Sequence, residues 1–378
     1  MKYLRFSMMP SLLLLSIVCL LLGPIYTIFY FIFLNSVFIF GDYFLPLDKK
    51  NPNYNKPWIF NFLLFINLPL LICLYFVIGW YCSSVDVFGF GNWFYSNLSI
   101  DIIANRSNMR FYHYIFVILS AGLALSASGT VVGHELVHRT NDKISMWFGN
   151  WLIAFSFDMA FAIDHVYGHH KNVCLKNDPA TAQRGESIYN FIISSSIGQL
   201  FSANRIEKRK GKKIHQNRIF ISTIRSIFII YTMYLLGGIF ALTVALAVAL
   251  IAKILLETVN YIEHYGLVRK ERTKVYPRHS WNSNHFISNI VLYNLSRHSH
   301  HHEKAYVEFW DLESYEGAPE MPYGYLTMIY LALLFPWIYH RIMAKKLIEW
   351  DQNYANEDEK KIAMEDNRNS GIRTLIQA

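Results

Sequence analysis

The chain has 378 residues, of which 53% are hydrophobic and only 16% charged, where soluble domains carry about 25%; with a mean hydropathy of +0.21, it reads as a membrane protein. Four scattered cysteines (Cys19, Cys73, Cys82, Cys174) without a C-x-x-C pair exclude a disulfide framework, a zinc ribbon and a built-in iron–sulfur electron carrier. The net charge of +8 comes without any nucleic-acid recognition motif, which excludes that partner class.

Apolar runs able to cross a bilayer occur near residues 8–22, 25–41, 57–81, 113–133, 219–239 and 240–262, most approaching the ~20 residues that cross roughly 30 Å of hydrocarbon. The first two flank Gly23-Pro24 and predict a tight hairpin. Lys2 and Arg5 ahead of the first run resemble a signal peptide. No small-x-small cleavage site follows, so a retained helix is expected. The second run is rich in aromatics (Tyr26, Phe29, Tyr30, Phe31, Phe33), which reads either as packing or as one wall of a substrate channel.

The fourth run ends in His134-Glu135-Leu136-Val137-His138. The apolar stretch 147–163 follows and is expected to be interfacial or re-entrant, buried in protein. Next comes His165-Val166-Tyr167-Gly168-His169-His170, where Gly168 leaves room for metal and backbone to approach. The segment 205–218 holds seven Lys or Arg against one Glu and reads as a cytoplasmic loop. The sixth run ends in Asn260-Tyr261-Ile262-Glu263-His264, and His298-Ser299-His300-His301-His302 closes the series. The stretch 326–340 is short and interrupted by Pro336, and from Lys345 onward a solvated helix with a frayed end is expected. A single catalytic domain over 1–345 and a charged tail over 346–378 are the expected divisions.

Orientation tests these spans. Lys2 and Arg5 place the N-terminus inside, and counting across puts 134–218 and everything after 262 inside as well. All four histidine clusters reach that face, although the count did not assume it. The expected fold is all-α and integral to the membrane, with six transmembrane helices and a cytoplasmic histidine-rich helical cap holding a two-metal site.

Imidazole is the commonest neutral transition-metal ligand near physiological pH. His134 and His138 share a helix face at i, i+4. His165, His169 and His170 follow i, i+4, i+5; His264 stands beside Glu263; His298, His301 and His302 fall within about 100° of a helix, leaving His300 on the far face. One metal cannot use nine nitrogens, whereas two six-coordinate irons with positions open to oxygen can. Glu135, Asp164, Asp178 and Glu263 are placed to hydrogen-bond the ligands, although Asp178 before Pro179 also reads as a turn residue. His279 and His285 belong near the site without ligating, while His113, His215 and His340 are weaker candidates. Two other classes compete. H-E-x-x-H alone is a zinc-protease motif, with Glu135 as base. A metal transporter or sensor should carry ionisable groups at mid-span; here they are few, chiefly Lys253 and Glu257, spaced to pair.

The motifs resemble the integral-membrane alkane 1-monooxygenase (alkane omega-hydroxylase) family, within the membrane fatty acid desaturase/hydroxylase superfamily. Its H-E-L-x-H-K appears as HELVHR with Arg139 for Lys, and its E-H-x-x-G-H-H as DHVYGHH with Asp164 for Glu. NYIEHYGL is intact at 260–267, and L-Q-R-H-S-D-H-H appears as LSRHSHHH with His300 for Asp. NDPATAQRGES (177–187) and HSWNSNH (279–285) are also similar to family segments. The resemblance implies a non-haem di-iron centre held by His134, His138, His165, His169, His170, His264, His298, His301 and His302. It implies hydroxylation of the terminal methyl of an alkane or other long alkyl chain to a primary alcohol, with O2 as co-substrate. A lipid, fatty-acid or methylarene methyl is the alternative within the superfamily. It further implies an external rubredoxin fed by an NAD(P)H-dependent reductase, and a bacterial inner-membrane location with both termini and the metal site cytoplasmic.

Overall fold

A computed structural model describes residues 2–377. It is helical throughout, and the single isolated β-bridge among the described residues joins Asn282 and Glu320. Two compact units emerge: Met1–Val37 with Asn55–Met159 and Phe220–Lys253, and Phe38–Tyr54 with Ala160–Ile219 and Ile254–Ala378.

Among the described residues five helices are long and apolar enough to cross a membrane, and most of their length lies in the first unit: Leu4–Leu22, Pro24–Phe44, Pro57–Cys82, Phe111–His138 and Arg218–His264. The last combines the fifth and sixth expected spans in 47 residues. Its backbone leaves the helical region at Gly237 and Gly238, the latter at φ +64°, beside the boundary expected at 239/240. Only glycine fits there: a Cβ on Gly237 would lie 2.6 Å from the Gly79 carbonyl oxygen.

The stretch 147–163 resolves into the helix Lys143–Ala154 and a turn leading to Phe161–Asp164. At 12 residues the first helix is too short to span. It packs on Val132–His138 at a glycine crossing, where a Cβ on Gly149 would meet Leu136 Cβ at 2.9 Å and the Gly133 carbonyl at 3.1 Å. Small residues let the two backbones approach, as in membrane helix pairs, and this fixes the helix that carries His134 and His138.

The aromatics of the second run point in different directions. Phe29 and Phe33 face outward, whereas Tyr30 is buried and donates to the Leu12 carbonyl at 2.9 Å. The free space beside Tyr30 is about 10 Å³, no more than a water occupies. Lys253, expected to pair with Glu257, reaches Asp158 at 2.6 Å, and Glu257 accepts from Gln199 at 3.0 Å.

In the second unit one sequence expectation gives way. The basic segment 205–218 begins in the helix Ile188–Arg209, and Glu207, buried at its end, pairs with Arg218 at 2.7 Å. The chain after Lys345 is solvated on one face and packed on the other, and it stays helical as far as Ile376 apart from short turns. The helix Pro336–Asn353 runs through the 345/346 boundary with Leu347 and Trp350 fully buried, and Glu357–Asn369 follows with Ala363 buried. Ion pairs hold this segment. Arg184 grips Asp351 at 2.6 Å and Asn367 at 2.6 Å, and buried Glu359 accepts from Arg278 Nε and His279 Nε2, both at 2.8 Å. Charged residues looked solvated in sequence because their partners lie some 80 to 180 positions away.

Burial alone would raise the Glu359 carboxyl, but its hydrogen bonds to His279 and Arg278 outweigh that and hold it at about 2. A carboxyl depressed in the folded state stabilises above its unfolded value, here 4.5, and that contribution fades as pH falls from about 4.5 towards 2. Pepsin is therefore expected to cut near residues 353–356 progressively faster across that window. Glu359→Leu, which strands Arg278 and His279, is expected to cost about 3–5 kcal/mol and to expose the same site to neutral proteases. Equal protection of variant and parent would refute the docking role.

Candidate metal centre

Seven of the nine candidate ligands lie in the second unit. His165 and His170 come first, in the helical segment from Phe161 to Asn172, which is π-helical over His165–His169. In an α-helix residues five apart diverge by about 140°. The π turn, whose bonds run i→i+5, restacks them, and the two Nε2 atoms approach to 3.1 Å. His301, on the helix His298–Glu303, reaches His170 Nε2 at 3.1 Å through its own Nε2.

His169 points elsewhere. Its ligand atom and those of His264 and His302 all lie within 4.8 Å of one another, and the same holds for Glu263, His264 and His298. His264 belongs to both groups. It ends the long helix and approaches His298 Nε2 at 3.2 Å. The helix His298–Glu303 is anchored through Arg297, which is fully buried and donates to the carbonyls of Asp48 (2.9 Å), Lys50 (2.8 Å) and Leu312 (2.6 Å). Sequence reading passed over Arg297; the only signal was a charged residue inside a histidine motif.

His169, His264, His298, His301 and His302 are all buried. His298 and His302 titrate well below the usual imidazole range, chiefly because burial disfavours the cation and also because neighbouring imidazoles repel it. They therefore stay neutral, the form that binds metal. For His169 burial pushes downward, but the Asp178 carboxylate, accepting its Nδ1–H at 2.8 Å, carries it upward. His169 Nε2 and both ring nitrogens of His302 are buried with no hydrogen-bond partner among the described residues. Such atoms cost free energy unless something else engages them. Convergent buried imidazoles with unpartnered ring nitrogens suit a transition-metal cation.

The carboxylates divide. Asp178 fixes the His169 ring and itself accepts from Thr181 Oγ at 2.6 Å, so it is more than a turn residue. The His264 ring is held instead by a backbone carbonyl: Nδ1 lies 3.1 Å from the His279 oxygen. Glu263 accepts from Tyr325 at 3.0 Å and lies 3.1 Å from His298 Nε2, close enough to ligate directly. Asp164 is buried and occupies the space expected for metal at Gly168, where a Cβ would meet its Oδ1 at 2.4 Å. In the first unit, His134 and His138 face each other at 3.2 Å (Nε2 to Nε2), and Glu135 pairs with Arg139 at 2.7 Å.

His300 is buried rather than exposed. Its Nδ1 accepts from the Glu313 backbone N–H at 2.8 Å and its ring stacks on Tyr315 at 4.5 Å. His300→Asp, which keeps an acceptor there, is expected to keep the full metal content and most activity; loss of half the metal would show that His300 ligates.

Residues 110–332 match the family model described as fatty acid desaturase. The chain is 36% identical over 238 residues to alkane 1-monooxygenase 2 of Alcanivorax borkumensis, covering 60% of this chain and 62% of that protein. It is 34% identical over 271 residues to alkane 1-monooxygenase 2 of Pseudomonas aeruginosa, covering 68% and 70%. The xylene/toluene monooxygenase hydroxylase component of Pseudomonas putida is 32% identical over 247 residues, covering 64% and 66%. The chain thus spans about three-fifths to seven-tenths of the length of these relatives. With the family model matching more than half of its residues, this chain belongs to the fatty acid desaturase family, among the alkane 1-monooxygenases.

Proposed function

We propose that the chain is an oxidoreductase, a non-haem di-iron monooxygenase that converts the terminal methyl of an alkane or other long alkyl chain to a primary alcohol with O2. The observation that carries this reading is the set of buried, converging imidazoles with unpartnered nitrogens, in a chain related to alkane 1-monooxygenases. Two irons, held by His134, His138, His165, His169, His170, His264, His298, His301 and His302, would supply the oxidising power. The protein contributes position. Asp178 and the His279 carbonyl fix the tautomers and ring planes of His169 and His264, so that each presents Nε2. Tyr325 holds Glu263 beside His298.

Six crossings follow from length. A straight 47-residue helix would reach about 70 Å, twice the hydrocarbon thickness, so the break at Gly237–Gly238 marks the turn between two spans. With Lys2, Arg5 and the 205–218 charges inside, the histidine clusters and both termini face the cytoplasm, for a bacterial protein at the inner membrane. Without a C-x-x-C pair the chain carries no rubredoxin-type iron of its own, and electrons come from an external rubredoxin and its NAD(P)H-dependent reductase. A methylarene substrate is the second reading, favoured by the xylene/toluene relative. Cells co-expressing the chain with rubredoxin and reductase, offered alkanes, fatty acids and p-xylene, separate the two. A terminal alcohol from the alkane supports the proposal; turnover of xylene alone supports the second reading, and turnover of none refutes both.

A further inference from the structure

The segment after the Arg218–His264 helix folds back on the helix end. The Trp281 backbone N–H donates to the Glu263 carbonyl at 2.8 Å, and its indole Nε1–H donates to the Tyr265 carbonyl at 3.0 Å. Carbonyls at a helix C-terminus lack partners within the helix, so these bonds fix where the chain at 279–281 lies relative to His264. The His279 carbonyl oxygen sits beside them and accepts from His264 Nδ1–H at 3.1 Å and from Cys174 Sγ–H at 3.0 Å. A carbonyl only accepts, so His264 carries its proton on Nδ1 and leaves Nε2 for a metal. The ring plane of His264 therefore follows the position of the His279 oxygen.

Residue 279 is itself held from the C-terminal segment. The His279 ring is fully buried and engaged at both nitrogens. Its Nδ1 accepts from the Tyr276 backbone N–H at 3.0 Å, so its proton sits on Nε2, which donates to Glu359 Oε1 at 2.8 Å. Glu359 is fixed in turn. It lies in the first turn of Glu357–Asn369, and its Oε2 also accepts from the Asn356 N–H at 3.0 Å and from Arg278 Nε at 2.8 Å. Trp350 Nε1–H donates to the Arg278 carbonyl at 2.7 Å, so the helices Pro336–Asn353 and Glu357–Asn369 both bear on residues 278 and 279.

We propose that Glu359 is a positioning residue for the metal centre: through the His279 ring it sets the place of the His279 carbonyl, and through that carbonyl the orientation of His264. The inference rests on the reading of His264 as a metal ligand. Glu359 stands two hydrogen bonds from that imidazole, so the C-terminal segment acts on the site as well as covering the fold. A glutamine at 359 cannot serve both neighbours. Its one oxygen accepts from either His279 Nε2–H or Arg278 Nε–H, and its amide N–H then faces the other donor. The Lys270–Asp358 pair, 2.7 Å long, ties down the same helix at the exposed surface and supplies the control.

Full-length protein in nanodiscs is loaded with Co2+ and followed by its visible ligand-field spectrum and by cobalt loss to EDTA. Glu359→Gln is expected to shift the spectrum and to speed cobalt loss roughly three- to tenfold, less than the ~10–100-fold that direct loss of a ligand's hydrogen-bond partner costs. Glu359→Asp keeps the charge one methylene short and is expected to recover part of the loss. Asp358→Asn is expected to match the parent in both measurements. Should Glu359→Gln fail to fold, Glu359→Asp is compared with Asp358→Asn in its place and is expected to lose cobalt faster. Parent-like spectra and rates in the Glu359 variants, or an equal change in Asp358→Asn, would overturn the proposal while leaving His264 a ligand. Parent protein that takes up no cobalt, or a cobalt spectrum that His264→Ala leaves unchanged, would overturn the reading of His264 as a ligand and this inference with it.

Discussion

His264→Ala is expected to abolish hydroxylation and to lower bound metal while the protein still inserts in the membrane. His264 is the one residue shared by the two groups of converging ligand atoms, the first with His169 and His302, the second with Glu263 and His298. Loss of a residue that merely supports a ligand costs about 10–100-fold in affinity or activity, so losing a shared ligand should exceed the upper end of that range. The fold has little reason to fail: the side chain ends the Arg218–His264 helix and makes polar contacts to His298 and the His279 carbonyl. Normal metal loading with full activity would remove His264 from the ligand set.

The second large effect is expected at Asp178. Its carboxylate holds His169 Nδ1 at 2.8 Å and so decides which nitrogen is left for a metal. Asp178→Ala should cost about 10–100-fold in activity or metal affinity, with chelator-induced metal loss correspondingly faster. Asp178→Asn keeps an acceptor oxygen at the same position and is expected to recover part of the loss. The difference between the two variants isolates the negative charge. Equal behaviour of Ala and parent would reduce Asp178 to the turn residue suggested by its place before Pro179.

The histidines that converge all come from four clusters visible in the sequence, because imidazole is rare enough for its spacing to carry information. The helical architecture was equally visible in the apolar runs, and the Gly237–Gly238 break lies close to the boundary expected near 239/240. Three features were not visible. The π turns over Leu125–Val131 and His165–His169 differ from α-helix by one residue in the hydrogen-bond step, a choice made by packing rather than composition. The docking of the C-terminal segment rests on pairs such as Arg184–Asp351 and His279–Glu359, whose members read singly as solvated charges. The apolar groove around Trp147 and Trp151 went unread because aromatic density says nothing about which way the rings point.

Metal analysis of the purified full-length protein tests the central claim most directly. The nine-histidine reading predicts about two irons per chain, the number needed to use that many nitrogens at six-coordinate sites with positions left open, and predicts that their removal abolishes alkane hydroxylation and their return restores it. One zinc per chain without iron would contradict it, since a single zinc needs only three protein ligands and a water.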